Sequence, residues 1–427
     1  MTKVTAEETF LRIGFPEMAA RAEYDVAIVG ASLSGCTAAI LLSRAGARVA
    51  LIEKSPDPQA YKRVCSHFIQ ASAVPTIERI GLYEPILGAG GLRSRFHSRT
   101  PWGWIEPTEK REAYCLNLRR SLLDPMLREA AAAQPGVELM LGQSAERLIR
   151  DGDAFAGVAV RDREGSEQEI RARLVVGADG RDSRVAELAE VKEKTLPHNR
   201  LAYGGYFEGP KPRFWPDGAV WLLDPDMAAA FPTDGGQVFY IAMTHKDRAP
   251  EFKADPERAL VEHVAGVPEP PPIRESRCVA PVIGKIEMPN RVRGPIAPGL
   301  ALIGDAALAT DPIFGVGCGF AFQSGEWLAD SVSPALQGAE SLDNCLRRYR
   351  KRHRRQLGMH ARLIHDYSTG RKFDPVERAM MRTAVRDPQA AALFEAVGTR
   401  RTTPPRLLVP MARRVAIDNV RRLVSAG

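Results

Sequence analysis

The first half of the chain alternates short apolar blocks with Ala/Leu-rich stretches. Asp25-Val26-Ala27-Ile28-Val29 is an apolar run that predicts a buried parallel strand. A turn follows, Gly30-Ala31-Ser32-Leu33-Ser34-Gly35. Cys36–Ala45 then predicts a helix closed by Gly46. Val49-Ala50-Leu51-Ile52 predicts the next strand, with Glu53 at its end and Lys54 beyond. This is a strand–helix–strand unit. The free N–H groups and dipole at its helix N-terminus favour an anion such as a pyrophosphate. Glu53 lies about 20 residues on, where an acid bonds ribose hydroxyls. The middle glycine of the dinucleotide fingerprint is Ser32 here. Its small side chain still permits close backbone approach, and its hydroxyl can bond phosphate. The same pattern also describes a turn with no ligand; the flanking strands and Glu53 favour a dinucleotide.

Two further strand ends carry glycine turns. Leu174-Val175-Val176 runs into Gly177-Ala178-Asp179-Gly180, and Asp179 can accept from a ribose or from the turn's own backbone. A helix is expected from Arg181-Asp182-Ser183. Leu300-Ala301-Leu302-Ile303 runs into Gly304-Asp305-Ala306, then Asp311-Pro312 and Gly315-Val316-Gly317. A helix is expected from Gly315 through Phe320, Gln323, Trp327 and Leu328, with partial positive charge at its start. Each stretch alone is a weak signal; the three in this order are a strong one.

Together they resemble the class A flavoprotein family, which includes p-hydroxybenzoate hydroxylase-like monooxygenases, geranylgeranyl reductases and flavin-dependent halogenases. The resemblance covers about residues 23–340. It implies an α/β fold: a Rossmann-like FAD-binding domain of the GR2 type, an inserted mixed or antiparallel-sheet substrate domain and a helical C-terminal region. It implies FAD as cofactor, with contacts from Gly30, Ser32, Leu33, Ser34, Gly35, Glu53, Lys54, Arg120, Asp179, Gly304, Asp305, Pro312, Gly315, Val316 and Gly317. Arg120 comes from Asn117-Leu118-Arg119-Arg120-Ser121-Leu122-Leu123-Asp124, which looks like the family's arginine-then-Leu-Asp segment; Arg119 is the alternative register. Asp305 is placed to bond the flavin's ribityl chain. Tyr61-Lys62-Arg63-Val64-Cys65 resembles the segment beside the isoalloxazine, and Phe231-Pro232 the aromatic-Pro turn facing it.

The departures bear on the subfamily. Ala306-Ala307-Leu308 stands where many hydroxylases have Ala-His, and Gly319 stands in the place of the usual Asn. The halogenase lysine is missing from Cys65–Gly81, and Lys62 is the nearest one. Pro101-Trp102-Gly103-Trp104-Ile105-Glu106-Pro107 has the wrong spacing and place for the halogenase Trp motif and is expected to be a strand with aromatic faces.

The expected organisation is a discontinuous FAD-binding domain (23–72, 110–190, 277–340), a substrate domain (73–109, 191–276) and a basic helical region (341–427). The inserts hold Trp102, Trp104, Phe207, Phe214, Trp215, Trp221, Phe231, Phe239 and Tyr240. Alternation such as Gln237-Val238-Phe239-Tyr240-Ile241 predicts strands. Some of these aromatics are plain core; as a group they suit a dry pocket. Pro268–Pro272 marks the return to the first domain.

Composition changes this picture little. The 427 residues are 44% hydrophobic and 26% charged, ordinary values for a globular enzyme. Six cysteines without metal-like spacing read as reduced thiols of a cytoplasmic protein, and no metal site is expected. Met1–Glu23 has no apolar signal region, and no apolar run is long enough to span a membrane. Net charge is +7, concentrated in Arg347-Arg348-Tyr349-Arg350-Lys351-Arg352-His353-Arg354-Arg355 and later arginine pairs. A solvated helix face is the plain reading. A dock for an acidic carrier protein holding the substrate, or peripheral contact with anionic lipid, is the sharper one. Nucleic acid is not expected, since no binding motif accompanies the charge.

The reading that fits best is an FAD-dependent, NAD(P)H-dependent monooxygenase oxidising an apolar or aromatic substrate through a C4a-hydroperoxyflavin. A reductase or dehydrogenase of a lipid-like C–C bond is the alternative. A halogenase or a flavin-bound binding protein without turnover follows behind. His67, His97 and His245 are base candidates by residue type only; none receives a catalytic role.

Overall fold

The computed structural model describes residues 23–108 and 113–425, with side chains as far as Asn419. Most of Met1–Glu23 therefore lies outside the described residues. The first sheet runs Ile296–Ala297, Leu300–Leu302, Glu167–Gly177, Tyr24–Val29, Val49–Glu53, Val137–Leu141. Every pair is parallel except the first. Its central stretches, Val26–Val29, Val49–Ile52, Leu174–Val176 and Leu300–Leu302, are apolar because both faces are covered. Val26, Ile28, Val49 and Leu51 pack on one side with Ala38, Leu42 and Phe322. Ala27, Val29, Ala50 and Ile52 pack on the other with Phe155 and Val158.

The register places the site. Val29 pairs with both Gly177 and Ile52, and Gly177 pairs with Leu302. The three strands thus end side by side, and three turns far apart in sequence emerge together at one carboxyl edge. The helix after the first turn spans Leu33–Arg44, starting three residues earlier than the sequence predicts, with Ser32 as its N-cap. The turn carries its glycines for steric reasons internal to the protein. Gly30 has φ +110°, and a Cβ there would lie 2.5 Å from the Ala178 carbonyl oxygen. A Cβ on Gly35 would lie 1.9 Å from the Gly30 carbonyl oxygen.

The second large sheet runs Arg277–Cys278, Arg200–Glu208, Val238–His245, Met227–Pro232, Gly218–Leu222, Phe96–Thr100, Gly103–Ile105. It is antiparallel except where Gly218–Leu222 lies parallel to Phe96–Thr100. The strand expected across Pro101–Pro107 is only Gly103–Ile105, entered by a turn. Alternation along these strands separates two roles. Phe207, Trp221 and Tyr240 turn into a core with Phe252 and Leu260. Phe231, Phe239 and Met243 turn toward the first domain's core.

Five helices complete the chain: Gly317–Leu336, Leu342–Ser368, Pro375–Ala384, Pro388–Gly398 and Pro404–Ser425. The first starts two residues later than expected, after a single 3-10 turn, Pro312–Phe314. Leu342–Ser368 buries Tyr349, His353 and Leu357 and exposes Arg347, Arg350, Lys351, Arg354 and Arg355. Arg348 pairs with Glu340 and Arg352 with Asp330. Arg350, Lys351, Arg354 and Arg355 make no ion pair among the described residues. No described helix is long and apolar enough to cross a membrane.

Candidate active site

The site begins at the carboxyl edge of the parallel sheet. Ala31 N–H donates to Glu53 Oε2 at 3.0 Å, and Ser55 N–H to Oε1 at 2.9 Å, so Glu53 braces the glycine turn. Lys54 is exposed beside it. The Leu33–Arg44 helix has no acidic residue in its first turn and no side-chain cap. Leu33, Ser34 and Gly35 are buried in that turn, facing the next strand ends.

Of the two registers for the arginine, the structure brings Arg120 to the turn. Its Nη2 donates to Ser32 Oγ at 2.9 Å, while Nε and Nη2 grip Asp124 at 2.6 and 2.9 Å. Arg120 and Asp124 are each 2% exposed, so this is a buried pair that fixes the guanidinium plane. Arg119 turns away to Asp234, at 2.6 Å. Asp179 accepts from Ser183 Oγ at 2.6 Å and from Val185 N–H at 3.0 Å, beside the N-cap Ser183 of the helix that starts at Arg184.

The third motif is anchored from below. Asp311 accepts from Ile313 N–H at 2.8 Å and contacts His198 Nε2 at 2.9 Å, and its own N–H donates to Asn290 Oδ1. This holds the Pro312–Phe314 turn, and Gly315 follows with φ +60°, where a Cβ would meet the Phe68 ring at 2.9 Å. Val316 is the N-cap of Gly317–Leu336, again without a side-chain cap or an acid in the first turn. Gly304 sits against Ser34, and Asp305 accepts from Lys62 Nζ at 2.9 Å. Burial pushes the Asp305 carboxyl up, but Lys62, Arg181 and Arg120 outweigh it and hold it below the ordinary range.

Between these parts lie two cysteines, Cys65 and Cys318, with Sγ atoms 3.6 Å apart and no disulfide. The hydrogen bond from Cys318, then the charges of Arg120 and Lys62, hold the Cys65 thiol well below its usual acidity range. The same bond and burial push Cys318 up. His67, next to Cys65, is 2% exposed, and burial lowers it to about 4. Its Nδ1 accepts the Arg120 N–H at 2.8 Å, and its other ring nitrogen meets the Tyr206 hydroxyl. His97 instead pairs with Glu106, and His245 with Asp247.

Beyond Pro312–Val316 opens a cavity of about 410 Å³. Phe68, Phe96, Phe231 and Met243 line it from the sheets, and Leu363, Ile364 and Leu407 from the C-terminal helices. Its size and apolar lining are those of an organic-ligand pocket. Val376 and Leu408 belong to the lining yet are 64% and 59% exposed, so they mark where the cavity meets solvent.

Several residues here carried no sequence signal. Arg128 is buried and donates to the carbonyls of Pro58 at 3.0 Å and Ala31 at 3.3 Å, tying the turn to the segment after the second strand. Gln70 and Arg400 line the cavity, the latter one of many arginines in the basic C-terminal region. The helices of the basic C-terminal region form one wall of the cavity.

A family model described as FAD binding domain matches residues 23–362. The digeranylgeranylglycerophospholipid reductase of Thermoplasma volcanium is 25% identical over 358 residues, 77% of this chain and 82% of that protein. Squalene monooxygenase of Mus musculus is 27% identical over 217 residues, 47% of this chain and 35% of that protein. Among solved structures, the flavin-dependent brominase Bmp2 superposes with a TM-score of 0.76 at 20% identity, covering 93% of this chain and 99% of the other.

Proposed function

The chain belongs to the FAD binding domain family, and on that premise we propose that this FAD-dependent oxidoreductase reduces or dehydrogenates a C–C bond in an elongated apolar molecule. The observation that carries the reading is the apolar cavity running from Pro312–Val316 to the C-terminal helices. A long hydrocarbon loses apolar surface to it, at roughly 25 cal/mol per Å². The reductase relatives, matched over four-fifths of their length, support the direction.

The residues present fit the cofactor. Two uncapped helix N-termini, at Leu33 and Gly317, offer N–H groups to anionic parts of the cofactor. In this proposal Gly30, Ser32, Leu33, Ser34 and Gly35 hold the pyrophosphate, with Arg120 fixed beside Ser32. Glu53 reaches a ribose, with Lys54 at its rim, and Asp179 shapes the adjoining turn. Gly304 and Asp305 meet the ribityl chain once Lys62 yields Asp305. Pro312, Gly315, Val316 and Gly317 border the ring. When bound, FAD supplies two-electron chemistry, and NAD(P)H is the proposed source of electrons. The protein's share is to orient the apolar substrate and to exclude water. The unpaired face of Arg350, Lys351, Arg354 and Arg355 is proposed to dock an acidic carrier or an anionic lipid surface.

Monooxygenation is the second reading. It is favoured by the dry aromatic wall of Phe68, Phe96 and Phe231, which would shield a water-sensitive oxygen-transferring species. One experiment separates the two. Enzyme reduced anaerobically with dithionite is mixed with a polyprenyl lipid, with and without O₂, and products are weighed by mass spectrometry. Gain of one dihydrogen without O₂ supports reduction. Gain of one oxygen atom, only with O₂, replaces it with monooxygenation.

A further inference from the structure

Among the described residues, Arg400 is a cation without an anion on the wall of an apolar cavity. It follows the Pro388–Gly398 helix with φ +61°, a left-handed conformation that costs a non-glycine residue on the order of 1 kcal/mol or more and persists only where its surroundings impose it. Its guanidinium stacks over the Phe320 ring, 4.3 Å from the centroid. Nη1 donates to Gln70 Oε1 at 3.3 Å and Nη2 to Gln323 Oε1 at 2.6 Å. Both amides are oriented for this, since Gln70 Nε2 donates to Phe314 and Gly398 carbonyls and Gln323 Nε2 to the Ser72 carbonyl. Only neutral oxygens face the charge, and Nε is buried with no partner.

Among the described residues no carboxylate of the lining is left over to neutralise it. Glu377 is bound by Arg371, Glu395 lies with Arg401 and Thr108, and Glu106 pairs with His97. Asp226 accepts from His245 N–H, and Asp374 caps Glu377 N–H. These are the carboxylates of the lining among the described residues. Arg200, the other guanidinium there, donates to the carbonyls of Tyr367 and Pro225 and leaves Nη1 without a partner, but unlike Arg400 it feels the charges of Asp311 and Asp226. Burial alone acts on Arg400, pushing it down to about 9, still cationic at neutral pH. A desolvated charge without a counterion is costly to keep, and an anionic ligand group would offset the cost. The position also accounts for Gly319: a Cβ there would lie 2.8 Å from Arg400 Nη1, so a side chain would drive the guanidinium out.

We propose that Arg400 is the anion-anchoring residue of the cavity, so that its ligand is an amphiphile: a long apolar chain bearing one acidic group of the carboxylate type. This rests on the reading of the cavity as an apolar-substrate site and adds the polar end of that substrate.

The test uses full-length, FAD-loaded protein titrated calorimetrically with hexadecanoate and with its methyl ester, both below their aggregation limits. The acid is expected to bind roughly tenfold to a hundredfold more tightly than the ester, the range of one charge-assisted contact in a dry site. Arg400→Gln should bring the acid to the ester's affinity and leave the ester unchanged, while Arg400→Lys keeps part of the preference. Equal binding of acid and ester by the unsubstituted protein overturns the anchor but leaves the apolar cavity standing. So does a preference that survives R400Q. A shifted flavin midpoint potential in R400Q with the acid preference intact also overturns it and assigns the charge to the cofactor. If neither ligand binds, the cavity reading itself falls, and the anchor with it.

Discussion

Replacing Gly30 with alanine tests what the glycine turn is for. The usual reason for glycine here is close approach of a pyrophosphate, which predicts loss of FAD and nothing more. The structure adds an internal reason. With φ +110°, an alanine is strained by about 1–3 kcal/mol. Its Cβ would also lie 2.5 Å from the Ala178 carbonyl oxygen and 2.9 Å from Asp179 N, backbone atoms that cannot swing aside. Overpacking of this kind costs about 1–3 kcal/mol more. The two together, roughly 2–6 kcal/mol, are a large share of the 5–15 kcal/mol by which a domain is stable. Gly46 supplies the control: its φ is +91° but nothing lies within 4 Å of a Cβ there, so Gly46→Ala should cost the strain alone. The assay is urea unfolding of the FAD-free proteins, followed by FAD titration of each. Gly30→Ala should be the less stable of the two before any cofactor is added. If FAD-free Gly30→Ala unfolds like Gly46→Ala and only its FAD affinity drops, the contact with Ala178 is not what demands glycine.

Three other outcomes follow from the site. Asp124→Ala strands the buried Arg120 guanidinium and should destabilise the FAD-free protein by about 3–5 kcal/mol; a loss under about 1 kcal/mol in urea unfolding would show that the pair contributes little. Iodoacetamide near pH 6.5 should label Cys65 before Cys36 or Cys115, whose thiols burial pushes up, and before Cys318. Peptide mass spectrometry reads the order, and Cys318 labelled first would reverse the assigned polarity. His353 is 7% exposed, and burial lowers it from its ordinary 6.5 to about 4. The unfolded chain therefore binds the proton first as pH falls, so stability present above pH 6.5 should be lost between pH 6.5 and 4, by up to about 3 kcal/mol. His353→Leu should reduce that slope by its share, with His67 and His360 keeping theirs, and an unchanged slope would refute the assignment.

How far the site could be read from the sequence depends on which interactions build it. The glycine turns, Glu53 and Asp305 were legible because a strand, a turn and a helix start are local events with local residue requirements. That the three turns meet was only implied by resemblance. The physical cause is the register of Val29 with Gly177 and of Gly177 with Leu302, which no local pattern encodes. Arg120 was preferred to Arg119 only on resemblance; what brings it to the turn is the buried carboxylate of Asp124 one helical turn later. The helix starts were missed by two or three residues, since Ser32 caps nothing with its side chain and instead takes a hydrogen bond from Arg120.

The C-terminal region shows the opposite limit. Its charge pattern describes the outer face of Leu342–Ser368 correctly, but the inner face was unreadable as part of a site. His360, Ile364 and Tyr367 look like ordinary core positions at helical spacing, and they become lining only because the second sheet stands across from them. Gly319 and Arg400 are informative only as a pair. The glycine alone looked like a lost contact, and the arginine alone looked like surface charge. Brought together, the glycine provides the room the guanidinium fills, so the departure at Gly319 and the cation at the cavity wall are one structural fact. A polar group supplied 81 residues downstream is beyond a local sequence pattern, which has no means of linking it to the position it completes.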